Sequence, residues 1–217
     1  INFITLYHLI FVVKIKNNMR VCIIGSSLSA LTLAKALVNQ NIYVDLISSI
    51  KKYEIDQSRT IGISKSNYEY FNSNIVKIEK IIWKLKKIEI YSDNLKNEKL
   101  LQFENKNDQL FSILKNCNLY EILKKSLSNN KYFKKIILNH KKTKFYEYNL
   151  VINTDNLSII TKKFFNKKIT KSYDSLAYTT IIHHEKILND AAVQIFTKRG
   201  PLAFLPISKN KTSIVYS

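Results

Sequence analysis

The sequence is poor in the residues that shape turns, crosslink a chain or read nucleic acid. Its 217 residues include three glycines, two prolines, two cysteines and one tryptophan. The two cysteines, Cys22 inside an apolar run and Cys117 far along the chain, exclude a disulfide framework and a cysteine metal site, and they fit a reducing cytosol. Histidine offers no metal site either. His8 and His140 stand alone, and neighbours such as His183 and His184 point to opposite faces of a strand. No Gly/Ser-rich or Pro-rich linker and no internal repeat divides the chain.

Arginine is scarce as well: only Arg20, Arg59 and Arg199 are found among 35 basic residues, although the formal charge is +19. That charge is built from lysines, scattered or in short runs such as 84–87 and 162–171. It lacks the arginine forks that read bases, so nucleic acid is not the expected partner. Ile, Asn, Lys, Tyr and Phe abound and share A/T-rich codons, which puts lysine on solvated faces and leaves glycine only where the backbone demands it. A lysine-rich surface can also be drawn to anionic lipid. Hydrophobic content of 46% excludes disorder, and the length allows one good core, or one domain and part of another.

The chain is organised around residues 19–48. Arg20 to Ile24 is a β-forming apolar run, Gly25 breaks it, and Leu28 to Val38 repeats apolar residues at helical spacing. A second β-branched run, Ile42 to Ile47, closes a βαβ unit. Its turn reads Gly25-Ser26-Ser27-Leu28-Ser29-Ala30 against the dinucleotide fingerprint G-x-G-x-x-G/A, with Ser27 at the second glycine. Ser48, 23 positions after Gly25, stands where an acid normally binds a ribose. The turn therefore fits either a pyrophosphate cradle at a helix N-terminus or an ordinary βαβ unit that holds nothing.

Residues 1–18 precede the only methionine, Met19, and are expected to be upstream sequence, a membrane-surface anchor being the alternative. Beyond the βαβ unit the pattern predicts helices over 66–71 and 75–85, the second bearing Trp83. A hairpin of 87–91 with 100–104 comes next, then a strand at 111–114 leading into a helix over 118–127. Strands follow at 132–138 and 144–148. Leu150 to Asp155 is an apolar run ending in a carboxylate, the form of a parallel strand facing a ligand crevice. From residue 172 onward, alternating runs at 174–184, 191–198, 201–207 and 212–216 predict an antiparallel sheet. Arg59, in a chain that otherwise prefers lysine, reads as a bidentate phosphate or carboxylate contact or as a surface arginine.

In this order the segments resemble the class A flavoprotein aromatic hydroxylases, most closely the 2-octaprenyl-6-methoxyphenol hydroxylase-like branch of ubiquinone biosynthesis. The turn Gly25 to Ala30 is similar to the FAD pyrophosphate loop. Ser58-Arg59-Thr60-Ile61-Gly62-Ile63-Ser64 resembles the D-x-R-x-I-A-L-S segment, which implies that Arg59 lies against the cofactor. Ser112 to Leu119 resembles V-V-E-N-x-x-L, placing Asn116 near the flavin. Phe196 to Ile207 is close to F-T-x-x-G-P-L-A-L-L-P-L. Asp155-Asn156 stands where the family has Asp-Gly beside its nucleotide crevice, and a later G-D-A-x-H segment has no counterpart before Ser217.

The resemblance implies an α/β fold: a Rossmann-like FAD/NAD(P)-binding domain with a parallel sheet (19–85 and 110–165), interleaved with a mostly antiparallel substrate-domain sheet (86–109 and 170–217, incomplete). It implies a monooxygenase in which FAD, reduced by NAD(P)H, uses oxygen to hydroxylate the ring of a prenylated phenol. The cofactor residues would be Gly25, Ser26, Ser27, Leu28, Ser29, Ala30, Ser48, Arg59, Asn116 and Asp155, with no catalytic triad and no metal. The expected setting is cytoplasmic, peripheral on the inner face of the membrane, and in contact with a quinone-biosynthesis complex. The frame looks truncated, and the 217-residue chain is expected to bind FAD poorly or not at all and to be inactive by itself. The alternatives are a degenerate, non-catalytic assembly partner in quinone synthesis and a basic nucleic-acid-binding protein.

Overall fold

The computed structural model describes residues 19–48, 55–93, 98–106, 108–137, 144–156, 159–164, 169 and 171–217. In chain order these form β1 (Arg20–Ile24), α1 (Leu28–Asn39), β2 (Tyr43–Ser48), β3 (Thr60–Ser64), α2 (Lys65–Tyr70) with a π-helical turn (Phe71–Ile75), and β4 (Ile82–Leu85). β5 (Lys87–Ser92), β6 (Lys99–Glu104), β7 (Phe111–Lys115), α3 (Asn116–Ser128), β8 (Phe133–Ile137), β9 (Leu150–Asn153) and α4 (Ile159–Phe164) follow. β10 (Tyr178–His183), β11 (Ala191–Thr197), β12 (Gly200–Ser208) and β13 (Lys211–Tyr216) complete the described chain. The segment 1–18 and His140 lie outside the described residues.

The βαβ unit forms as its periodicity predicts, and it builds a four-stranded, all-parallel sheet in the order β8-β2-β1-β9. Strands apolar on both faces belong in the middle of such a sheet. Val21, Ile23, Val44 and Leu46 face one side and pack on Ala30, Leu31, Ala34 and Val38 of α1 and on Leu119, Leu123 and Leu127 of α3. Fully burying each large aliphatic chain there contributes about 1.5–3 kcal/mol. The opposite face carries Cys22, Ile24 and Ile47 against Ile136, Phe145, Tyr148 and Ile160.

Two further sheets complete the fold. β3-β7-β4 is a small antiparallel sheet, and β10-β13-β12-β11-β5-β6 is a six-stranded one whose single parallel pair is β11 with β5. Gly200 turns the β11–β12 hairpin at φ +134°, and a Cβ there would stand 1.8 Å from the carbonyl oxygen of Ser217. Pro206, buried inside β12, has no N–H to donate, and the β12–β13 register shifts beside it.

Three expectations need correction. Residues 75–85 do not form one helix: the π-helical turn ends at Ile75, and Trp83 lies in β4, paired with β7. A short apolar run has no unambiguous period, and pairing with Ile113 and Leu114 decides it. Residues 144–148 form a 3-10 turn over Phe145–Glu147 rather than a strand, because Phe145 and Tyr148, three apart, both reach the Cys22 face of the parallel sheet. The strand expected over 174–184 narrows to β10, with Asp174 at φ +49° before it.

Candidate functional site

In the parallel sheet the chain passes from β1 to β2 to β8 on one side, while β9 lies on the other side of β1. The strand order reverses between β1 and β9, and open parallel sheets bind ligands at the carboxyl ends of strands at such a point. Gly25 stands there. Its N–H donates to the Ile47 carbonyl at 2.9 Å, and both the N–H and the Oγ1 of Thr154 donate to the Ile24 carbonyl at 2.8 Å. Gly25 has φ +134°, and a Cβ on it would stand 2.2 Å from Thr154 Oγ1. Backbone conformation and close approach both demand glycine at this turn.

Ser27 stands where the fingerprint has glycine, yet its backbone, at φ −74° and ψ 172°, is one any residue adopts. It is the N-cap of α1: the Ala30 N–H donates to Ser27 Oγ at 3.4 Å. The hydroxyl is therefore drawn to the helix end, and its own proton can still be donated outward. Ser26, Leu28 and Ser29 complete the loop, whose first-turn amides lack intrahelical partners and lie at the positive end of the helix dipole. Ser48 ends β2 and is buried. Asp155 follows β9 half-buried, its N–H on Asn153 Oδ1 at 3.1 Å and its carbonyl accepting from Thr161 Oγ1 at 2.6 Å. The fold thus brings the Gly25 to Ala30 turn, Ser48 and Asp155 to the same edge of one sheet.

Arg59 and Asn116 form a second group, on the small sheet. The Asn116 N–H donates to the Arg59 carbonyl at 3.0 Å, while the Arg59 side chain is exposed. Asn116 Oδ1 is buried without a hydrogen-bond partner. The segment before β3 is fixed to the six-stranded sheet, since the Ser58 and Thr179 hydroxyls lie 2.8 Å apart and Thr60 Oγ1 donates to Ser213 Oγ at 3.3 Å. Ser58 also donates through its hydroxyl and its N–H to Asp56, which holds that carboxyl below its ordinary range.

Two features were not foreseen from the sequence. Thr154 closes the Gly25 turn, and its only signal is its place directly after the apolar run of β9. On the other face of the same sheet, Asp45 Oδ2 accepts from Arg20 Nη2 at 2.6 Å and from the Tyr148 hydroxyl at 2.8 Å. Burial first, and then the Asp45 charge, push the Cys22 thiol up to about 12. Burial and the hydrogen bond to Asp45 likewise raise the Tyr148 phenol. Both groups stay protonated near neutrality, so neither serves as a nucleophile there. Among the described residues no cluster of three His, Cys, Asp or Glu side chains could hold a metal, and no helix is long and apolar enough to cross a membrane.

No protein-family model matches the sequence, and no curated protein matches it. Solved structures do match. The chain is similar to PqsL from Pseudomonas aeruginosa, a probable FAD-dependent monooxygenase, with TM-score 0.69 and 12% identity over 92% of this chain and 60% of that one. It is similar to 2,6-dihydroxypyridine-3-hydroxylase from Arthrobacter nicotinovorans, with TM-score 0.66 and 16% identity over 92% of this chain and 56% of that one. A third match is Klebsiella pneumoniae HpxO complexed with FAD and uric acid, with TM-score 0.69 and 11% identity over 93% of this chain and 57% of that one. At these identities the likeness establishes the fold: a mixed α/β architecture shared with FAD-dependent monooxygenases, its parallel sheet joined to antiparallel ones. The chain spans 60% or less of the length of these three structures.

Proposed function

We propose that the chain contributes the FAD-binding fold of a monooxygenase that hydroxylates an aromatic ring, with NAD(P)H as reductant. The observation that carries this is the Gly25 turn: a glycine at φ +134°, pressed against Thr154, at the strand-order reversal and before the N-terminus of α1. Bound FAD supplies the redox chemistry with oxygen that no side chain can supply. The residues present fit its phosphates. Gly25 to Ala30 would hold the pyrophosphate through backbone N–H groups, and Arg59 offers an exposed guanidinium. Ser48 would meet the ribose with a hydroxyl in place of a carboxylate. The buried, unpartnered Oδ1 of Asn116 is an acceptor that a cofactor N–H would satisfy, and Asp155 would border the crevice. The chain's own task is to bind, orient and exclude water.

The finer reading is a prenylated phenol of ubiquinone biosynthesis as substrate, taken up by a protein docked through its lysines on the inner face of the cytoplasmic membrane and in contact with a quinone-biosynthesis complex. It is supported by Phe196 to Ile207, whose glycine forms the β11–β12 turn. A non-catalytic relative in quinone assembly is the second reading, favoured by Ser48, which brings no charge to the ribose position. The deciding measurement is the visible absorption spectrum of protein made from the whole reading frame. Flavin bands near one per chain are expected, with Arg59→Ala, at an exposed position, lowering flavin retention at unchanged circular dichroism. A folded, colourless protein that cannot be reconstituted with FAD overturns the enzyme in favour of the assembly partner. A flavoprotein that turns over short phenols as well as prenylated ones sinks the finer reading alone.

A further inference from the structure

The loop 184–190 joins β10 to β11, and a relay of side chains holds it in which each hydrogen has one place. His184 Nδ1 lies 2.7 Å from the Glu185 carbonyl oxygen, which only accepts, so Nδ1 carries a hydrogen. Asn189 Nδ2, which only donates, lies 2.8 Å from the Ser208 carbonyl oxygen and 3.0 Å from Thr212 Oγ1. The Ser208 carbonyl fixes which way the Asn189 amide is turned. Thr212 Oγ1 therefore accepts from Asn189 and gives its own hydrogen to His184 Nε2, 3.0 Å away. The relay runs from Asn189 through Thr212 and His184 to the Glu185 carbonyl, and it closes with His184 neutral. Asn189 is tied on its other side as well, since its carbonyl accepts from the Trp83 indole N–H at 2.6 Å.

A second proton on His184 has no such place. On Nε2 it points at the Thr212 hydroxyl and at Asn189 Nδ2, a donor 3.4 Å away. Thr212 must then accept from both sides, and its own hydrogen, on a residue 6% exposed, loses its acceptor. A buried polar hydrogen left unmet and a cation facing an amide donor both oppose that state. The charged groups nearby do not offset it. Glu185, Lys186 and Asp190 belong to the loop itself, Lys209 and Lys211 to the turn packed against it, and the exposed His183 points to the opposite face of β10. On the Trp83 side stand Lys84, Lys86 and Asp108, the last ion-paired with Lys65. Among the described residues no ion pair involves His184, Glu185 or Asp190.

We infer that His184 is a pH-sensitive latch: neutral, it completes the relay that pins Asn189 to the β12–β13 turn, and protonated, it releases Asn189 together with its contact to Trp83. The backbone bonds from the His184 N–H to the Asn210 carbonyl at 3.1 Å and from the Ile187 N–H to the Lys209 carbonyl at 3.0 Å do not depend on charge, so the release is local and the strands keep their pairing. The latch does not depend on the flavin reading. Its probe is built in, because Trp83 is the only tryptophan of the sequence. Emission of the full 217-residue chain is followed at fixed ionic strength while pH falls through the ordinary histidine range, about 6.5. One reversible sigmoidal change is expected at unchanged far-UV circular dichroism; His183→Gln keeps it and His184→Gln removes it. Thr212→Val, which keeps the shape and deletes the hydroxyl, shrinks the change to less than about half, the unmet hydroxyl hydrogen being gone, and keeps the test open if His184→Gln fails to fold. Above the transition, nitrogen-15 spectra of the histidine rings place the His184 hydrogen on Nδ1. Emission flat across the range, a transition that survives His184→Gln or is undiminished in Thr212→Val, or a His184 ring with its hydrogen on Nε2 overturns the latch.

Discussion

The parallel sheet and the six-stranded sheet are covered to very different degrees. In β1 and β2 every residue after the first is buried, whereas every residue of β6 is exposed and in β12 only Pro206 is buried. The first sheet has α1 and α3 on one face and the 145–148 turn with Ile160 on the other. The second rests on a small cluster of Leu85, Ile113 and Ala192. A sheet sealed on both faces by its own chain carries the stability and can hold one glycine turn in a demanding geometry. A half-covered sheet offers surface, and its strands order themselves through pairing and polar contacts such as those of Ser58 and Thr60.

The contrast predicts where truncation hurts. Leu46, 1% exposed at the centre of β2, should lose about 2–5 kcal/mol on substitution by alanine, through lost burial and a residual cavity. Phe103, 51% exposed on β6, should lose less than about 1 kcal/mol on the same change. Urea midpoints at constant slope measure both, and equal losses would abolish the distinction between the sheets.

A second test concerns the charged group within the sealed sheet. Asp45 is 5% exposed and accepts two hydrogen bonds, so Asp45→Asn keeps the shape and removes the charge that pairs with Arg20 and strengthens the Tyr148 bond. The expected loss is about 1–3 kcal/mol, reduced toward the lower end because the Arg20 side chain is 46% exposed and well screened. Cys22 should remain unreactive to a thiol reagent in the folded variant, since burial is the larger cause of its raised value. Rapid labelling before unfolding would show that the cluster, rather than the sheet, seals that face.

Legibility in the sequence follows the same division. β1, α1 and β2 are visible because strands buried on both faces read as continuous apolar runs and the helix repeats at its own period, and β9 reads as such a run although Leu150 and Val151 are exposed at the sheet edge. The antiparallel hairpins are visible by alternation. β4 is not, because Ile82 to Leu85 gains its strand conformation from β7 and from the Trp83 bond to Asn189, partners far away in sequence. At the candidate site, the Gly25 turn and Asp155 follow from local pattern. Thr154, and the meeting of Asn116 with Arg59, depend on which strands become neighbours, and no local pattern encodes that. Composition helped in one respect: with so few glycines, those at 25 and 200 mark places where the backbone itself requires them.

The smallest effect lies on the exposed sheet and is electrostatic. Glu89 of β5 accepts from Lys99 Nζ at 2.7 Å and from the Tyr91 hydroxyl at 3.1 Å, and the Lys99 bond is the main cause holding its carboxyl below the ordinary value. Lys99 is raised in turn, chiefly by its bond to Glu89. A carboxyl depressed in the folded state contributes stability above its unfolded value of about 4.3, and that contribution is lost as pH falls through the lower folded value. A raised lysine contributes below about 10.4 and loses its share as pH rises through the folded value. The pair is therefore fully effective across the neutral range and fades at both ends. The gap in urea midpoint between the natural chain and Glu89→Gln should be constant near neutrality and shrink below about pH 4. A gap that persists at low pH would mean that Glu89 holds the β5–β6 hairpin by packing rather than charge, and the exposed sheet would then resemble the sealed one more closely than its burial suggests.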